Sequence, residues 1–143
     1  MQRLFELGVR LADGMGHGLD ELGLTRARAE VIWRLARLGP ITNVALSQVL
    51  HVTPRNVTGL VDALEVDGFV ARTAHPTDRR ATLVTLTDQG LAAAAQMQAG
   101  YQELARTLFA DLTPVDLAEL VETMDQLLER LRPAEPNRSS GKP

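Results

Sequence analysis

Three side chains near the middle of the chain have the chemistry to read the edges of a DNA duplex. Arg55 carries a fork of donors that fits guanine, Asn56 matches the donor and acceptor pair of adenine, and Thr58 offers a hydroxyl for a phosphate or a methyl for thymine. They follow Thr53-Pro54, a pair that opens a helix. The threonine oxygen accepts a bond from an orphan amide, and proline at the first helical position lacks an N–H that would have had no partner there. That helix end directs amide donors and a positive dipole end at a phosphate, so Thr53 joins the set. His51, just before it, is expected to approach DNA. Asp62, Glu65 and Asp67 lie further along the same segment and would repel phosphate, so only the first two turns are expected in a groove. A second group lies between Arg72 and Arg80, where Arg72, Arg79 and Arg80, with His75 among them, stand against the single acid Asp78. Arginines at a hairpin tip reach an adjacent minor groove, whose narrow A·T-rich stretches concentrate negative potential.

Other chemistries find little support. No His, Cys, Ser or paired carboxylates fall in a recognisable catalytic arrangement, so no enzyme activity and no cofactor are expected. His17, His51 and His75 lie on different elements without convergent partners, which argues against a metal site. The run GMGHG from Gly14 to Gly18 is no phosphate loop, because neither a preceding strand nor a lysine-serine pair accompanies it.

The elements that must position these residues follow from hydrophobic period. Gln2 to Leu19 places Leu4, Leu7, Leu11 and Met15 on one stripe of a helix, with GMGHG as its loose end. Thr25 caps a second helix that turns Val31, Ile32, Leu35 and Leu38 inward, and Gly39-Pro40 stops it. A short helix from Asn43 to Leu50, apolar at Ala45, Leu46 and Val49, leads through a turn at His51-Val52 to the helix after Thr53. That helix buries Val57, Leu60, Val61 and Leu64 and ends at Gly68. The period then changes to two, in Phe69 to Thr73 and in Ala81 to Leu86, with AHPTDRR between: a hairpin with a charged loop. Thr87 caps a long helix through Phe109. Thr113-Pro114, with Asp116 completing a capping box, opens the last one. There Leu117, Leu120, Val121, Met124, Leu127, Leu128 and Leu131 recur with a period near 3.5, a stripe that must pack on a neighbour or on a second subunit.

Bulk properties set the class. At 143 residues and 45% apolar composition the chain has enough aliphatic side chain for an unaided core. The absence of cysteine removes disulfides, thiolate zinc sites and thiol switches. No apolar run approaches the roughly 20 residues that span a bilayer, and the N-terminus is amphipathic rather than a signal sequence, so no membrane association and a cytoplasmic location are expected. The net charge of -3 argues against coating nucleic acid by charge alone. Glu103 to Leu131 carries seven acids against Arg106 and Arg130, so a local basic patch contrasts with an acidic remainder.

From about Leu24 to Leu131 the sequence resembles the MarR family of bacterial transcription regulators. The specific stretch is Val52 to Gly90, in which Asp78, Arg80, Val84, Leu86 and Thr87 match the family's wing signature Asp-x-Arg-x-x-x-Leu-x-Leu-Thr, with valine for the first leucine. The resemblance implies a mainly α fold with a small β-hairpin wing. A winged helix-turn-helix would occupy residues 23–90, with dimerisation helices at 1–22 and 91–132 and a disordered tail at 133–143. It further implies an obligate homodimer on a pseudopalindromic double-stranded operator, commonly a repressor released by a small aromatic or phenolic ligand. Carried across, Arg55, Asn56 and Thr58 resemble recognition-helix contacts and Arg79 or Arg80 the minor-groove residue. Asp78 resembles the aspartate that pairs with the wing arginine and holds its aim. Met15, Trp33, Met97 and Tyr101 are candidates to line an effector pocket, although apolar residues at helical spacing also serve as plain core. The alternative reading is a winged-helix module for protein association, without sequence-specific DNA binding.

Overall fold

The computed structural model describes residues 2–78 and 80–131, with the backbone alone at residues 15 and 17. The chain divides into two compact units, residues 1–104 and 105–143; the expected tail at 133–143 lies outside the described residues.

The first unit opens with α1 (Gln2–Glu21), which runs straight through GMGHG instead of loosening there. The glycine that ends it is Gly23, at φ +65°, where Leu24 N–H donates to Leu19 O at 3.0 Å and Gly23 N–H to Asp20 O at 3.0 Å. This is a Schellman closure, sealed by the burial of both Leu19 and Leu24. Tertiary packing at that corner outweighs the propensity cost of the internal glycines. The expected stripe on α1 is not buried within this chain: Leu4 is 63% exposed and Leu7 48%.

Helix α2 (Arg26–Leu38) is capped by Thr25 and closed by Gly39 at φ +75°. It buries Val31, Ile32 and Leu35, whereas Leu38 stays exposed. A two-residue strand β1 (Ile41–Thr42) follows, too short to leave a period in the sequence. Thr42 then caps α3 (Asn43–Leu50) by accepting from Ala45 N–H at 3.2 Å. Helix α4 (Pro54–Val66) packs across α2 and α3 with Val57, Val61 and Leu64 fully buried. Gly68 at φ +82° turns the chain into the hairpin of β2 (Val70–Ala74) and β3 (Thr82–Leu86).

Strand β1 pairs antiparallel with the outer side of β3, so the wing is a three-stranded sheet in the order β1-β3-β2. Arg72 sits opposite Val84. Thr87 joins the sheet to α5 (Asp88–Phe109): its hydroxyl donates to Gly68 O at 2.6 Å while its oxygen accepts from Gly90 N–H at 3.1 Å. At Gly90 the helix presses against the start of β2, where a Cβ would collide with the Phe69 carbonyl oxygen. The core is aliphatic apart from Phe69, with Leu46 fully buried and Ala93, Ala94 and Met97 contributed by α5.

The second unit holds the end of α5 and helix α6 (Pro114–Arg130), opened by the capping box of Thr113 and Asp116. None of its residues is buried in the single chain, and Val121, Met124, Leu127 and Leu128 are all exposed.

Candidate nucleic-acid interface

Helices α3 and α4 meet at a three-residue turn. His51 adopts the left-handed conformation at φ 54°, Val52 N–H donates to Ser47 O at 3.1 Å, and Thr53 caps α4 by accepting from Asn56 N–H at 3.3 Å. Burying Val57 and Val61 leaves Arg55, Asn56, Thr58 and Gly59 on the opposite, exposed face. The Thr58 hydroxyl donates to Pro54 O at 3.0 Å. Its proton is engaged by the helix, so the side chain has its methyl group and an oxygen lone pair, not a donor, left to offer. The Thr53 hydroxyl uses its oxygen for the cap, which leaves its proton out of that bond.

The acids further along α4 and at its C-terminal cap are each engaged by an arginine from elsewhere in the fold. Asp62 and Glu65 lie three residues apart on one helix face, and Arg72 of β2 reaches both with its two terminal nitrogens. The hydrogen bond that Arg72 donates to Asp62 raises its pKa; burial works against the shift and the Glu65 charge adds to it. Asp67 pairs with Arg28 of α2 at 2.9 Å. Arg72 therefore does not belong to a basic patch open to phosphate, as the charge count alone suggested; it ties the hairpin to α4. Its partners sit seven and ten positions earlier, and the signal for them was an acid pair at helical spacing shortly before a strand arginine.

At the wing tip the backbone is closed by short-range bonds. His75 N–H donates to Ala81 O at 3.1 Å and Ala81 N–H to Asp78 O at 3.0 Å. The His75 ring nitrogen Nδ1 accepts from Asp78 N–H at 3.1 Å and from Thr77 N–H at 3.3 Å. The Asp78 carboxylate accepts from the Arg80 backbone N–H at 2.9 Å. The aspartate thus steadies the main chain at Arg80 and forms no ion pair with the Arg80 guanidinium, which is exposed. Arg79, the other candidate, lies outside the described residues.

Away from this face, Trp33 and Tyr101 pack edge to face at 5.5 Å and line a cleft of about 390 Å³ with Asp20, Arg26 and Glu30. Met97 lines an adjoining hollow of about 370 Å³ with Tyr101, Gly14 and Gly18. Met97 is itself 6% exposed and serves the core as well. The Met15 side chain lies outside what is described. Among the described residues no three His, Cys, Asp or Glu side chains gather as metal ligands would, and no helix is long and apolar enough to cross a membrane.

Residues 24–82, from the start of α2 into β3, match the MarR family model. The chain is 32% identical to the multiple antibiotic resistance protein MarR of Salmonella typhimurium over 115 residues, 80% of this chain and 78% of that protein. The chain belongs to the MarR family. It is also 27% identical to the HTH-type transcriptional repressor YetL of Bacillus subtilis, over 90% of this chain and 78% of that one. Among solved structures, mutant MarR from Escherichia coli complexed with operator DNA superposes with a TM-score of 0.71 at 30% identity, covering 92% of this chain and 93% of that one. RV1404 from Mycobacterium tuberculosis, at 22% identity and a TM-score of 0.81, shares the fold over 92% of both chains. As a MarR family protein the chain is a DNA-binding transcription regulator with a winged helix, and its relatives are named as regulators, not enzymes.

Proposed function

We propose that this MarR family protein is a cytoplasmic, sequence-specific repressor. It binds a pseudopalindromic operator as a homodimer and is released by a small aromatic ligand. The observation that carries the reading is the composition of the exposed face of α4. Arg55, Asn56 and Thr58 stand clear at its first turns, and every acid beyond them is held by an arginine. Helix α4 enters the major groove, and Arg80 reaches the flanking minor groove.

Dimerisation rests on the large apolar side chains that α1 and α6 leave exposed, among them Leu4, Phe5, Val121 and Leu128, a pattern that marks association surfaces. The ligand reading rests on the cleft beside Trp33 and Tyr101, whose volume suits a small organic molecule. The test is footprinting on DNA upstream of the protein's own gene. Protection of two half-sites with centres about one helical turn apart, or a multiple of it, is expected. Protection spread evenly along the fragment would overturn the reading.

A further inference from the structure

The wing tip contains one side chain whose bonding pattern the DNA-contact argument leaves unused. His75 lies at the end of β2, half-buried, and its Nδ1 receives two backbone N–H donors, from Thr77 and Asp78. An N–H cannot accept, so Nδ1 must present its lone pair. A neutral imidazole then carries its proton on Nε2. The Thr77 hydroxyl lies 3.3 Å from the same nitrogen. The two amides so held belong to the segment whose next members are the Asp78 carboxylate and, bonded to it, the Arg80 backbone N–H. The main chain of His75 closes the loop through Ala81.

We propose that His75 is a positioning residue for DNA recognition: as the neutral Nε2–H tautomer it gathers the wing-tip amides on Nδ1 and so sets the course of the backbone that presents Arg80. This inference rests on the proposed DNA contact by Arg80. Protonation of Nδ1 and acceptance of these two bonds exclude each other. An asparagine can take the same role, because its side-chain oxygen stands at the δ position occupied by Nδ1 and accepts from amides two residues on. Glutamine cannot, because its polar atoms lie one bond further out, near the place of Nε2.

The experiment compares operator binding by wild type, His75→Asn, His75→Gln, His75→Ala, Arg80→Ala and the double variant His75→Ala with Arg80→Ala, with a thermal melt for each. His75→Asn is expected to stay near wild type, while His75→Gln and His75→Ala lose about tenfold with unchanged melting. The double variant is expected to bind no more weakly than Arg80→Ala, because the histidine acts through that arginine. Wild-type affinity in His75→Gln, or losses that add in the double variant, would overturn the proposal. Should the wild type bind no duplex selectively, it is the function proposed above that fails. The tautomer is then read on the free protein from the ring ¹⁵N shifts at a pH of about 8, above the ordinary imidazole range. An unprotonated Nδ1 supports the amide-gathering role, and a protonated Nδ1 overturns it.

Discussion

Arg55 and Arg80 are both exposed, and the proposed function gives them different contacts, base edge and minor groove, so their removal should differ in kind. Arg55→Ala takes away a bidentate base contact, so operator affinity should fall by about 1–3 kcal/mol while binding to unrelated duplex changes little. A competition titration against scrambled DNA reads the difference, and equal losses on both DNAs would speak against base readout by Arg55. Arg72 predicts a third pattern. In Arg72→Met the Asp62 and Glu65 charges are released beside the groove, so affinity should drop most at low salt, where repulsion is least screened. Folding stability should change by only about 0–1 kcal/mol, as for other solvent-exposed ion pairs. A salt titration with a parallel melt checks both halves. The exposure of Arg55, Asn56 and Thr58 was legible in the sequence because the buried positions of one helix fix its outer face. The engagement of Arg72 was not, because a count of charge along the chain cannot show which arginine folds back onto an acid pair. The bond from the Thr58 hydroxyl to Pro54 O, by contrast, is local, and i−4 bonding by a threonine inside a helix is a general tendency.

Among elements, boundaries carrying local chemistry were the easiest to place. Thr25, Thr53 and the Thr113–Asp116 box cap their helices as their sequences imply. Thr53→Ala should destabilise the chain by about 0.5–2 kcal/mol and weaken DNA binding, since it removes both cap and phosphate donor. Denaturant unfolding alongside a binding titration measures the two effects. What the local pattern missed are features imposed by neighbours. The two residues of β1 form a strand only because β3 offers an edge. Helix α1 continues through three glycines because Leu19 and Leu24 are packed beyond them. Gly90, inside the family-like stretch, is required by contact rather than conformation. Gly90→Ala should cost about 1–3 kcal/mol of stability, read as a lowered melting temperature, because helix and strand must separate to admit a methyl group. A melting temperature equal to wild type would mean that this contact is slack.

At the scale of the molecule, the chain has two ends that its own fold leaves apolar and exposed. The period near 3.5 of the last helix announced such a face, and α6 indeed buries none of its residues within the single chain. Val121→Glu combined with Leu128→Glu places two charges seven residues apart on that face. The expected result is a shift from dimer to monomer in sedimentation with helix content retained, together with loss of operator binding. A dimer that persists unchanged would place the subunit interface elsewhere. The net charge of -3 becomes intelligible at this scale, because acids crowd α6 while those on α4 are paired. The cleft was not legible in the sequence, since it brings together residues as far apart as Asp20 and Tyr101.

The central claim, that this chain reads DNA through α4 and its wing, is tested most directly by operator affinity across a salt series, wild type against Arg80→Ala. Tight, sequence-selective binding by wild type is expected. In the variant binding should weaken, and the slope of log affinity against log salt should become shallower by about 0.9, the equivalent of one phosphate contact. Weak binding to every duplex alike, with the same slope in both proteins, would contradict it.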